Sequence, residues 1–198
     1  MKAFFTASQR GKKYFDEYYE QIYNILMEEG YKVVDDVIVK VSEQEFYNKL
    51  SAEGLESYRE LYERNTKAMR ESDVNIFECS LPSLSIGFMI QKSLDEGKPT
   101  VVLYVDDNVP QFLAGIEDER LIIVNYKKED LKDKLRKALV ESQQKMDKRF
   151  NFFISPDLLN YIDAASKKMQ ITKSTLIRNL IIEHMRKSKA KTAAESID

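Results

Sequence analysis

Five apolar runs of strand length, at residues 2–7, 31–39, 74–79, 100–105 and 121–126, are separated by stretches with the periodicity of helices. The first such stretch, 12–29, places Phe15, Tyr18, Tyr19, Ile22 and Leu26 on one stripe, and Gly30 follows it as a helix-ending glycine. Further helices are expected over 43–50, 55–70 (divided from the former near Gly54), 84–96 and 128–146. Apolar strands that alternate with amphipathic helices bury both faces of a parallel sheet. The expected fold is therefore α/β, a five-stranded doubly wound parallel sheet of order 2-1-3-4-5. Sheets of this kind hold ligands beyond the carboxyl ends of their strands, which directs attention to loops 6–11, 80–87 and 106–109.

The chain has 198 residues, enough for one domain of about 100–150 residues and a small appendage. Domains are expected at 1–146 and 147–188, with a flexible tail over 189–198. Hydrophobic residues make up 43% and charged residues 32%, the balance of a water-soluble protein. No apolar run reaches the length of a membrane span, and the apolar start at 3–7 is shorter than the core of a secretory signal. A single cysteine, Cys79, precludes an internal disulfide and suits a reducing cytoplasm. With one histidine, His184, remote from the loops, a Ser-His-Asp triad in the crevice and a structural zinc site are both excluded. No Walker or dinucleotide glycine motif occurs, and neither a cofactor nor a metal is expected. The charge is uneven: residues 145–198 hold 11 basic and 6 acidic side chains, residues 1–144 hold 20 and 27. A basic end on an acidic body is the asymmetry of a nucleic-acid-binding tail.

Two loops carry specific chemistry. Thr6-Ala7-Ser8-Gln9-Arg10-Gly11 joins the first strand to a helix; Gly11 permits a tight turn, Ser8 can donate a hydrogen bond and Arg10 can fork onto a phosphate. A buried strand leads into Leu81-Pro82-Ser83-Leu84-Ser85-Ile86-Gly87-Phe88-Met89. Together these resemble the nucleoside 2-deoxyribosyltransferase family, above all its 2'-deoxynucleoside 5'-phosphate N-hydrolases, whose pattern is Ser-x-Arg-Gly and Pro-Ser-Leu-Gly-x-Gly-Tyr-Glu. The resemblance runs over about residues 1–145 in strand order and loop placement. It implies a nucleotide-like ligand held by Ser8, Arg10, Gly11, Asn65, Ser83 and Gly87.

The same resemblance implies a glutamate nucleophile at the anomeric carbon and an aspartate on the preceding helix. Here those positions are Met89 and Asn65. A thioether is a poor nucleophile there and an amide gives up no proton, so no catalytic residue is assigned. Glu78 and Asp106 are the carboxylates that could have taken over, although strand alternation by itself does not aim Glu78 into the crevice.

After 147 the chain changes character. Phe150, Phe152 and Ile154 alternate with Arg149, Asn151 and Phe153, as in a half-buried strand. Ser155-Pro156-Asp157 starts a helix bearing Leu158, Ile162, Ala165 and Met169, and Thr172 or Ser174 caps a second bearing Leu176, Ile177, Leu180, Ile181 and Met185. About 40 residues bury too little apolar surface to fold alone, and a lone strand needs a partner. The segment resembles the ribbon-helix-helix family of Arc and MetJ. That resemblance implies a homo-oligomer, a dimer through residues 149–155 or a tetramer built from it. It also implies DNA contacts from Arg149, Asn151 and Phe153 on the ribbon and from Thr172, Lys173 and Ser174 at the second helix start. Phe153 departs from the polar residue usual there, which leaves open a ribbon that only dimerises. Two functions are thus in view. One is a DNA-binding regulator whose first domain senses a nucleotide-like molecule without catalysis. The other is a deoxynucleotide N-glycosidase or deoxyribosyltransferase with an atypical site, assembled through its C-terminal module.

Overall fold

A computed structural model describes residues 1–145 and 153–195, with side chains, Glu53 aside, through Lys187. The chain divides into two units, Met1–Lys148 and Arg149–Asp198. The first runs β1 (Lys2–Ala7), a 3-10 turn (Gln9–Gly11), α1 (Lys12–Glu28), β2 (Lys32–Val33), α2 (Val37–Lys40), α3 (Glu43–Glu53), α4 (Leu55–Glu71), β3 (Val74–Glu78), α5 (Leu84–Asp95), β4 (Thr100–Val105), α6 (Gln111–Ala114), β5 (Leu121–Tyr126) and α7 (Leu131–Gln144). The strands pair in parallel in the order β2-β1-β3-β4-β5, as the alternation of strands and helices requires.

Strand alternation builds two cores. Ala3, Phe5, Ala7, Val74 and Ile76 join Ile22, Leu26, Leu131 and Leu135 of α1 and α7 on one face. Phe4, Phe77 and Val102 join Met69 of α4 and Ile86 and Ile90 of α5 on the other. At the amino end of β3, buried Asn75 donates to Ser93 Oγ at 2.8 Å, and Ser93 meets the Thr100 hydroxyl at 2.7 Å, which ties β3 and β4 to α5.

The second strand, expected over 31–39, is only Lys32–Val33. Two acids stop it: Asp35 Oδ1 accepts the Val37 N–H at 3.0 Å, and the Asp36 carbonyl accepts from Val39 and Lys40, which starts α2 instead. Lys12 fastens that turn to α1. Its Nζ donates to the carbonyls of Ile38 (2.9 Å) and Val39 (3.1 Å) and pairs with Asp16 at 3.2 Å.

In the second unit α8 (Pro156–Met169) and α9 (Lys173–Glu195) form as a helix pair. Ser155 caps α8 by accepting the Leu158 N–H, Pro156 takes the first position, and Gln170 ends the helix at φ 54°. Thr172, not Ser174, caps α9, its hydroxyl accepting the Thr175 N–H at 3.1 Å. α9 continues to Glu195, and residues 196–198 of the expected flexible tail lie outside the described residues. The expected ribbon lies mostly outside the described residues, and Phe153, Ile154 and Ser155 are not in a strand. Of the expected ribbon-helix-helix module, the described residues show two helices and no strand, so the module is not established.

Candidate functional site: a crevice at the sheet's switch point

β1 leads to β2 on one side and neighbours β3 on the other, so the chain diverges at their carboxyl ends. A crevice of about 480 Å³ opens there, walled by the β1 loop, the β2–α2 segment, α3, α4 and the start of α5. Ser8, Arg10, Asn65, Ser83 and Met89 all line it. Gly11 and Gly87 are placed differently. Gly11 has an ordinary φ of −73°; it is needed because a Cβ there would collide with the Tyr19 hydroxyl. Gly87 lines a separate groove of about 340 Å³ with Cys79, Pro82 and Phe112.

One part of the crevice suits an anion. Ser83 precedes α5 and makes no side-chain cap bond, and no acid occupies the first turn of that helix, so its N–H groups and dipole face Ser83 and Ser85 unopposed. Arg10 is exposed at the rim, while Ser8 and Gln9 are buried. Gln9 Oε1 has no hydrogen-bond partner.

The wall formed by α2 and α4 is different. Asp35, two residues past β2, pairs through Oδ2 with Arg64 Nε at 3.0 Å, while its Oδ1 is held by Val37. Asp35 is 10% exposed and Arg64 45%. Neither residue was picked out from the sequence. An acidic pair directly after an apolar strand run was the signal that could have found Asp35, because that places it at a carboxyl end.

Asn65 of α4 and Met89 of α5, the two positions where the resemblance implies acids, come together. Both line the crevice and an adjoining groove of about 500 Å³ that also holds Tyr58, Tyr62 and Phe88. Among the described residues that line the crevice, Asp35 is the one carboxylate.

Glu78 faces away. It shares strand parity with Val74 and Ile76 and points to the α1/α7 side, 1% exposed. Its Oε1 accepts from the Ser80 N–H (3.2 Å), the Ser80 hydroxyl and the Tyr126 hydroxyl (3.1 Å). Its Oε2 and the nearby Tyr19 hydroxyl have no partner of good geometry. Burial pushes the Glu78 carboxyl up to about 7, against the pull of the Ser80, Tyr126 and Tyr19 hydroxyls. Burial and the Glu78 charge push both tyrosines well above the usual phenol range. Asp106 is exposed at the end of β4, with φ 53°, and lies outside the crevice lining.

Of the residues expected to meet DNA, Arg149 and Asn151 lie outside the described residues. Phe153 is fully exposed, Lys173 pairs with Asp163, and Ser174 is exposed in the first turn of α9. Among the described residues no cluster of metal-ligating side chains occurs and no helix is long and apolar enough to cross a membrane.

No family model matches the sequence. A protein of Thermofilum pendens named "Putative 2'-deoxynucleoside 5'-phosphate N-hydrolase 1" is 30% identical over 129 residues, which span 64% of this chain and 85% of that protein. A protein of the same name from Methanococcoides burtonii is 28% identical over 116 residues, 58% of this chain and 90% of its own length. The CMP N-glycosidase BcmB of Clostridium botulinum superimposes with a TM-score of 0.49 at 18% identity, over 69% of this chain and 99% of that one. The matched stretches fall short of the whole chain, and over the part they cover this protein is a distant member of the 2'-deoxynucleoside 5'-phosphate N-hydrolase family.

Proposed function

We propose that the first unit binds a nucleoside 5'-monophosphate in the crevice and does not cleave it by the route the family resemblance implies. The supporting observation is the meeting of Asn65 and Met89 beside Ser8, Arg10 and Ser83. Displacement at an anomeric carbon calls for a carboxylate that can form and release a glycosyl ester; an amide and a thioether do neither. The phosphate takes the Ser83 end, where helix N–H groups and Arg10 supply positive potential. Calorimetric titration of 2'-deoxynucleoside 5'-monophosphates into the full chain, with chromatography of the products, tests this. Binding without free base is the expected result.

Free base would favour the second reading, hydrolysis or transfer at the N-glycosidic bond. That reading draws on family membership and on the Asp35 carboxylate in the crevice.

The second unit, we infer, assembles the chain, and the assembled form acts as a DNA-binding regulator that senses the nucleotide. Leu158, Leu159 and Tyr161 on α8 and Leu180, Ile181 and Met185 on α9 are each 41–66% exposed, an apolar surface that a second copy would cover. Gel-shift of the gene's own upstream DNA at rising salt separates the two roles. An oligomer with no shift at low salt assembles without regulating.

A further inference from the structure

The crevice has two unlike ends, and the difference orients its ligand. Asp35 is a poor neighbour for a phosphate, and it occupies the Arg64 Nε at 3.0 Å. A dianion is therefore better placed by Ser83 and Arg10 than by Arg64, whose charge Asp35 offsets. What then lies against Asp35 is the nucleoside. Two acceptors wait for it. A carboxylate has about four lone-pair sites, of which Val37 and Arg64 occupy one on each oxygen. Gln9, 8% exposed in the same lining, carries an amide oxygen with no partner. A buried acceptor left unpaired costs free energy that a ligand donor recovers. Asp35 is also rigidly placed, because Lys12 ties α2 to α1 and α2 holds Oδ1. Rigid acceptors discriminate better than mobile ones, since they are not reoriented to suit a ligand that lacks the donor.

Building on the nucleotide-binding reading, we propose that Asp35, supported by Gln9, determines specificity by accepting a hydrogen bond from the nucleoside. The ligand class is a nucleoside 5'-monophosphate bearing a donor at that wall, either a sugar 2'-hydroxyl or an exocyclic base amine. A carboxylate rejects the matching ligand that offers only a carbonyl or a hydrogen there.

The test uses the full chain and the ribo- and 2'-deoxyribonucleoside 5'-monophosphates of cytosine, uracil, adenine and hypoxanthine, with dissociation constants measured by calorimetry. The wild type is expected to prefer the donor-bearing member of each pair. Asp35→Asn should weaken that member by about tenfold or more and change the other less than about twofold, as loss of one charged hydrogen bond implies. Collapse of the ribo/deoxy ratio assigns the sugar hydroxyl; collapse of the cytosine/uracil and adenine/hypoxanthine ratios assigns the amine. Should Asp35→Asn not fold, Gln9→Met carries the same expectation with a smaller change. Equal weakening of all eight ligands, or none, overturns the proposal, because a purely structural Asp35–Arg64 tie would act on every ligand alike. Arg10→Ala separates the two levels of inference. If Arg10→Ala weakens binding while Asp35→Asn leaves every ratio intact, the specificity role fails and the nucleotide site stands. If the wild type binds none of the eight, both fall.

Discussion

The two faces of the sheet at the end of β3 make opposite use of polar groups. On the α4/α5 face an open crevice is lined by Asn65 and Met89, the positions where the family resemblance implies carboxylates. On the α1/α7 face a carboxyl, Glu78, is present but sealed among Tyr19, Ser80 and Tyr126. Accessible positions without a carboxyl and a carboxyl without accessibility thus lie on opposite faces of the sheet. Sequence distance from a motif therefore says little about chemical use: Glu78 is close to Ser83 along the chain and on the wrong side of the sheet.

The strongest way to break this contrast is to supply the crevice with its acids. The double variant Asn65→Asp, Met89→Glu is expected to release free base from 2'-deoxynucleoside 5'-monophosphates at least about a hundredfold faster than the wild type, the lower end of what positioned acid–base groups contribute. Adding Glu78→Gln to that variant should leave the gain in place, since Glu78 does not face the substrate. Chromatography of released base reads both. A double variant as inert as the wild type would mean that the crevice lacks more than its carboxylates.

The sheet was legible because each strand is a short apolar run bounded by turn residues, and β1, β4 and β5 begin and end where the pattern says. The segment after β2 was not: Val33, Val34, Val37, Ile38 and Val39 read as one strand, and only the local bonds of Asp35 and Asp36 reveal the turn. The loop residues Ser8, Arg10 and Ser83 could be placed at the crevice from the sequence because their motifs are contiguous. Asp35 and Arg64 were missed because they belong to separate elements that meet only in the fold, and Gln9 because nothing in its loop motif singles it out from Ser8 and Arg10. Glu78 could not be aimed because all five residues of β3 are buried. Hydrophobicity then gives no face, and the partners Tyr19 and Tyr126 lie far away in sequence.

Glu78 itself supplies a smaller but cleaner probe of the sealed face. Its folded value, about 7, lies above the ordinary 4.5. Between those limits the folded state holds a proton that the unfolded chain has released. Stability contributed by the neutral carboxyl is full below about pH 4.5 and is lost as pH rises through 7, after which the contribution is flat. The loss across that window is about 3 kcal/mol. Denaturant unfolding at pH 5, 6, 7 and 8 should show the decline, and Glu78→Gln, which mimics the neutral form at every pH, should remove it. The surface ion pairs that α1 makes with the β5–α7 loop and α7, such as Glu17 with Lys128 and Glu28 with Lys132, act in the opposite sense. Their partners hold Glu17 and Glu28 below the usual carboxylate range, so what stability they add is lost only in more acidic solution and leaves the window near 7 to Glu78. Equal slopes for the wild type and Glu78→Gln would place the proton elsewhere. They would also mean that the hydroxyls of Ser80, Tyr126 and Tyr19 keep Glu78 ionised despite its burial, making the sealed face a charged one.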